Sequence, residues 1–157
     1  MGVKIIEGSF TDTDVTIALV VSRWNEFITD RLKEGAVHAL RRHGIPEDQI
    51  TIAYCPGAYE IPLTAQTLID TDSFDGVACL GAVIRGATPH FDYVCNAVNN
   101  GINQLNLSSG KPVTFGVLTT DTIEQAIERS GTKAGNKGEE AAVALLEMVS
   151  LINKIKQ

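Results

Sequence analysis

The feature that most constrains this chain is a repeated change of period. Four apolar runs rich in β-branched residues alternate with stretches of helical spacing: Val15-Thr-Ile-Ala-Leu-Val-Val21, Ile50-Thr-Ile-Ala-Tyr54, Val77-Ala-Cys-Leu-Gly-Ala-Val-Ile84 and Pro112-Val-Thr-Phe-Gly-Val-Leu118. Runs that are apolar on both sides of the pleat belong to strands covered on both faces, as in a parallel sheet. After the first run, Ile28, Leu32, Ala36, Ala39 and Leu40 recur at helical spacing between charges, until Gly44 and Pro46 stop the helix. A second helix is predicted from about Ile61 to Thr71, with Pro62 in its first turn, and a third from Pro89 to about Leu107. A short fourth covers Thr122 to Arg129, and a long last one carries Ala142, Leu145, Leu146, Val149 and Ile152 on one face. This alternation, without repeat or linker, predicts a single α/β domain over residues 1–157. Its expected form is a three-layer αβα, flavodoxin-like fold: a four-stranded parallel sheet in order 2-1-3-4 with helices on both faces. Residues 1–13 read as an arm with a short candidate strand at Val3–Ile6, either loose or added to a neighbour's sheet.

Composition narrows the function classes. A net charge of −6 argues against general binding to nucleic acid or anionic membranes, which require a basic face. No apolar run is long enough to span a bilayer, and the first residues lack a signal peptide's apolar core. The three cysteines, Cys55, Cys79 and Cys95, fit no metal or redox spacing and read as small hydrophobes in a reducing compartment. The expectation is a cytoplasmic protein without disulfides.

In open parallel sheets, ligands sit outside the carboxyl ends of the strands. Those ends here are Ser22-Arg-Trp-Asn25, Pro56-Gly-Ala-Tyr-Glu60, Arg85-Gly-Ala-Thr-Pro-His90 and Thr119-Thr-Asp121, all rich in groups that bind or react, and all four are expected to converge. The third segment places a glycine loop, a hydroxyl and the Arg85 guanidinium at a helix start, the chemistry of an anion site. His90 stands one residue into that helix, where the dipole disfavours an imidazolium and so suits a proton acceptor. His38 and His43, in the first helix, have adequate structural explanations. The single tryptophan, Trp24, either caps a core edge or offers a platform for a planar heterocycle. Glu60 either complements a helix start or grips a ligand hydroxyl. Arg129, Lys133 and Lys137 form a cationic group that is either solvated or anion-binding. No dinucleotide, P-loop, nucleophile-elbow or metal-ligand pattern is present, which disfavours metal and dinucleotide redox chemistry.

Five of these segments together resemble the 6,7-dimethyl-8-ribityllumazine synthases. They are Ser22-Arg-Trp-Asn-Glu-Phe-Ile-Thr29, Cys55-Pro-Gly-Ala-Tyr-Glu-Ile-Pro62, Gly81-Ala-Val-Ile-Arg-Gly-Ala-Thr-Pro-His-Phe-Asp-Tyr-Val94, Phe115-Gly-Val-Leu-Thr-Thr120 and Glu128-Arg-Ser-Gly-Thr-Lys-Ala-Gly-Asn-Lys-Gly138. The resemblance implies the penultimate step of riboflavin biosynthesis. There 5-amino-6-(D-ribitylamino)uracil condenses with 3,4-dihydroxy-2-butanone 4-phosphate to 6,7-dimethyl-8-ribityllumazine, phosphate and water, with no cofactor. It further implies that Trp24 stacks on the pyrimidine with Asn25 beside it. Ala58, Tyr59 and Glu60 would meet the ribityl chain, and Val83 and Ile84 would bind the heterocycle through their backbone. Gly86, Ala87 and Thr88 would hold the phosphate and His90 would transfer protons. Phe115, Arg129 and Lys137 would come from a neighbouring subunit, Arg129 to the phosphate and Lys137 to bound substrate. Partners implied are copies of the chain, as a pentamer and a sixty-subunit shell, with riboflavin synthase as a candidate guest. The competing readings are a flavodoxin-like flavin carrier and a cage protein with a dead site.

Overall fold

The computed structural model describes residues 2–132 and 134–157. Alternation along the first strand builds the two halves of the core. In β1 (Ile17–Ser22), Ile17, Leu19 and Val21 enter one buried cluster while Ala18 and Val20 enter another. The same alternation recurs in β3 (Gly76–Ile84), with Ala78, Leu80 and Ala82 on one side and Val77, Cys79 and Val83 on the other. A sheet apolar on both faces must be covered on both. α1 (Glu26–Arg42) and α5 (Lys137–Lys156) cover the first, joined by Ala126 of α4 (Ile123–Glu128). α2 (Ile61–Asp70) and α3 (His90–Ser109) cover the second. With β2 (Ile50–Cys55) and β4 (Val113–Thr120), the parallel sheet runs β2-β1-β3-β4, the expected flavodoxin-like order. Register sets Ser22 beside Cys55 and Ile84 beside Thr120, so β1 with β2, and β3 with β4, release their chains side by side.

Elements differ from the sequence-based expectation in two places. Residues 3–6 form no strand; Val3 is fully open and the arm meets a helix rather than a strand edge. Ser9 N donates to Ser150 Oγ at 3.0 Å and Lys154 Nζ to Glu7 O at 2.9 Å, both on α5. The loop before α5 folds into a small antiparallel pair, β5 (Ser130–Thr132) with β6 (Gly135–Asn136). Lys133 lies outside the described residues.

α5 begins on a well-made cap. Asn136 Oδ1 accepts from Gly138 N at 2.9 Å and Glu139 N at 3.0 Å, while its amide donates to Arg31 O at 3.0 Å. This brings α5 so close to α1 that a Cβ on Gly138 would stand 2.1 Å from Leu32 O. The Leu32 side of that clash is backbone and a Cβ is fixed rigidly to its own helix, so neither can swing away. Gly138→Ala is expected to cost ~1–3 kcal/mol, read as a lowered midpoint in thermal unfolding, with an unchanged midpoint as the contrary result. Among the described residues no helix is long and apolar enough to cross a membrane.

The cysteines behave as packing residues. Cys55 and Cys79 are buried against α2 and α3, and burial pushes both thiols above their ordinary pKa. Cys95, on α3, is shifted the same way by burial and then by Asp92. Groups held this far from thiolate are poor nucleophiles.

Candidate active site

The chain leaves β1, β2 and β3 around a pocket of about 470 Å³. Trp24, Asn25, Ala58, Tyr59, Glu60, Val83, Ile84 and His90 line it, joined by Ala82 and Val94, which sequence reasoning missed. Trp24 follows the β1 terminus and its N–H donates to Pro56 O at 3.0 Å, tying the first two strand ends together. It keeps 64% of its surface exposed, too much for a tryptophan serving only to cap a core edge. Asn25 adopts a left-handed backbone (φ 65) that asparagine tolerates, and its amide donates to Ala82 O at 3.0 Å. That bond ties the entrance of α1 to β3.

Glu60 ends a 3₁₀ turn, Ala58–Glu60, just ahead of α2 and its early Pro62. One carboxylate oxygen, Oε1, accepts the Gly57 N–H at 3.0 Å. That bond closes the 3₁₀ turn rather than capping α2, whose start carries no side-chain cap, and it holds the carboxylate on the pocket wall. His90 is the first residue of α3, directly after Pro89, and its imidazole is exposed within the same pocket as Trp24 and Glu60. Gly86, Ala87 and Thr88 form an exposed loop between Ile84 and His90, both of which line the pocket.

Arg85 corrects one expectation. Its guanidinium is not offered to an anion: Nε donates to Asp121 Oδ1 at 2.8 Å, and Nη1 lies 3.7 Å from Asp92 Oδ1. It also lies over the Phe91 ring at 4.4 Å. The hydrogen bond to Asp121 raises its already high pKa, so the cation is permanent but engaged. Arg85 thus straps the loop after β3 to the start of α3 and to the end of β4.

The four strand ends lie along one carboxyl edge of the sheet, but their residues are shared between two cavities. Thr119 and Thr120 of β4 open into a second cavity, about 530 Å³, with Phe115, Gln125, Arg129, Lys137 and Glu140. β4 is the edge of the sheet, and its last residues stay bonded to the β3 end, Arg85 N donating to Thr120 O at 2.8 Å. The two cavities have no lining residue in common. Arg129 caps the C-terminus of α4 and is exposed, its Nη1 3.4 Å from Gln125 O, consistent with the dipole's preference for a cation there. Lys137 is different. It opens α5, where the dipole opposes a cation, so helix stability does not explain it. Glu140 lies one turn along the same helix face, a spacing from which it could have been found.

A parallel αβα sheet with an aromatic-walled pocket at its carboxyl end defines a flavodoxin-like small-molecule-binding protein. The family model of 6,7-dimethyl-8-ribityllumazine synthase matches residues 14–153, and the chain belongs to that family. It is accordingly a transferase of riboflavin biosynthesis.

Proposed function

We propose that the chain condenses 5-amino-6-(D-ribitylamino)uracil with 3,4-dihydroxy-2-butanone 4-phosphate, in sites shared between neighbouring subunits of a homopentamer. The observation that carries this is the division of the site residues between two cavities on one chain. One holds an aromatic platform, a carboxylate and an imidazole; the other holds the cations Arg129 and Lys137. Neither half alone offers both a platform with a carboxylate for a planar polyol-bearing amine and the cations for a phosphate ester. Two unlike patches that complete each other between copies make a head-to-tail contact, which closes into a ring when the rotation between copies divides a full turn.

In the joined site, Trp24 stacks on the pyrimidine with Asn25 beside it, and Val83 and Ile84 offer backbone groups to the ring. Ala58, Tyr59 and Glu60 meet the ribityl hydroxyls. The neighbour's Phe115 closes over the heterocycle and its Lys137 contacts bound substrate. Gly86, Ala87 and Thr88 hold the phosphate with the neighbour's Arg129. The substrate amine attacks the ketone and expels water as the imine forms; phosphate then leaves, and the ribitylamino nitrogen closes the ring with loss of a second water. Each step moves protons, and His90 is the group placed to carry them. Orientation of two reactants and neutralisation of the leaving phosphate supply most of the acceleration, without a cofactor. Residues 14–157 act as one domain behind the arm, in the cytoplasm, and the pentamers assemble into a sixty-subunit shell that accepts riboflavin synthase.

Mixing the two substrates with the protein is expected to produce the absorbance and fluorescence of the lumazine. A flavin carrier would instead purify yellow with a redox-active spectrum, and a dead cage would assemble without product. No lumazine, under conditions where an established synthase works, would overturn the assignment.

A further inference from the structure

Gly57 lies in the turn between β2 and the 3₁₀ turn, and two pocket groups are built upon it. Its backbone is extended (φ −137, ψ −179), a conformation open to any residue, so conformational freedom is not what the glycine supplies. It supplies space. A Cβ at Gly57 would stand 2.2 Å from Cε3 and 2.5 Å from Cζ3 of Trp24, so the six-membered edge of the indole occupies the place of a side chain. Backbone bonds hold the two segments in that contact: Arg23 N and Trp24 N both donate to Pro56 O, at 3.1 and 3.0 Å. On its other side, the Gly57 N–H donates to Glu60 Oε1 at 3.0 Å.

We propose that Gly57 is the positioning residue of this pocket, seating the Trp24 indole where a side chain would be and fixing the Glu60 carboxylate through its own N–H. The proposal rests on Trp24 and Glu60 binding the pyrimidine substrate; the seat itself rests on geometry alone. With one edge of the indole held by Gly57 and 64% of the residue still exposed, the platform is set before a ligand arrives. A platform ordered in advance loses little freedom on binding, which tightens the complex. Any side chain at position 57 would push the indole from its seat and change its spacing from Glu60, and so alter which planar ligands fit.

The chain's single tryptophan makes the seat directly observable. In the full-length protein, Gly57→Ala is expected to shift the emission of Trp24 and increase its quenching by iodide. It should also raise the KM for the ribitylamino-pyrimidinedione about tenfold or more, with less than a twofold change in the KM for the butanone phosphate. Unchanged emission and quenching would overturn the seat. A shifted emission with an unchanged pyrimidine KM would overturn the proposal differently, by showing that Trp24 is not the pyrimidine platform. Should Gly57→Ala fail to fold, the double variant Trp24→Ala/Gly57→Ala is expected to fold, because the clashing indole is gone. Failure of both would show that the glycine serves something other than Trp24.

Discussion

Replacing His90 by alanine is expected to lower kcat by about 10²- to 10⁴-fold, the range that one positioned acid–base group contributes. The side chain is exposed at the first position of α3 and supports no buried contact, so assembly and thermal midpoint should be unchanged. The effect should fall on turnover more than on either KM, because proton transfer belongs to the transition state and not to ground-state binding. Steady-state kinetics with both substrates varied would check this. A variant that turns over at the parental rate would strip His90 of its role.

Arg129→Ala is expected to lower kcat/KM for the butanone phosphate by about 10²- to 10³-fold, as the loss of one charge-assisted anion contact does. The pyrimidine KM should hardly move. More decisive is the mixture. If His90 and Arg129 act in one site on different subunits, co-assembling His90→Ala with Arg129→Ala chains restores sites that pair an intact His90 with an intact Arg129. In random equal mixing, half the subunits carry His90 and half their neighbours carry Arg129, so about a quarter of parental activity returns. Two variants that stay inactive together would place both residues in the same subunit's site. Sedimentation of the parent at monomer mass would remove the shared site altogether.

Arg85 shows why residue type alone misled. A guanidinium in a glycine loop before a helix has the chemistry of an anion ligand, yet Asp121, from the next strand end, claims it at 2.8 Å. Nothing local to Arg85 names that partner. Gly57 is the converse case: in the sequence it is one glycine of a turn, and only the nearness of Trp24 gives its missing side chain a purpose.

The sequence by itself determined the α/β class, the four parallel strands with helices on both faces, and the strand-end segments that bring Trp24, Glu60 and His90 to the pocket. These follow from local causes: period-two and helical spacing decide each element, and a strand's carboxyl end carries its loop with it. Tertiary structure alone decided that the β4 end opens into a separate cavity, that Arg85 is a strap, that the arm lies on α5 and that Gly57 seats an indole. Each of these depends on which side chains meet across the sheet edge or between strand ends. Such meetings join residues tens of positions apart, and no local period encodes them.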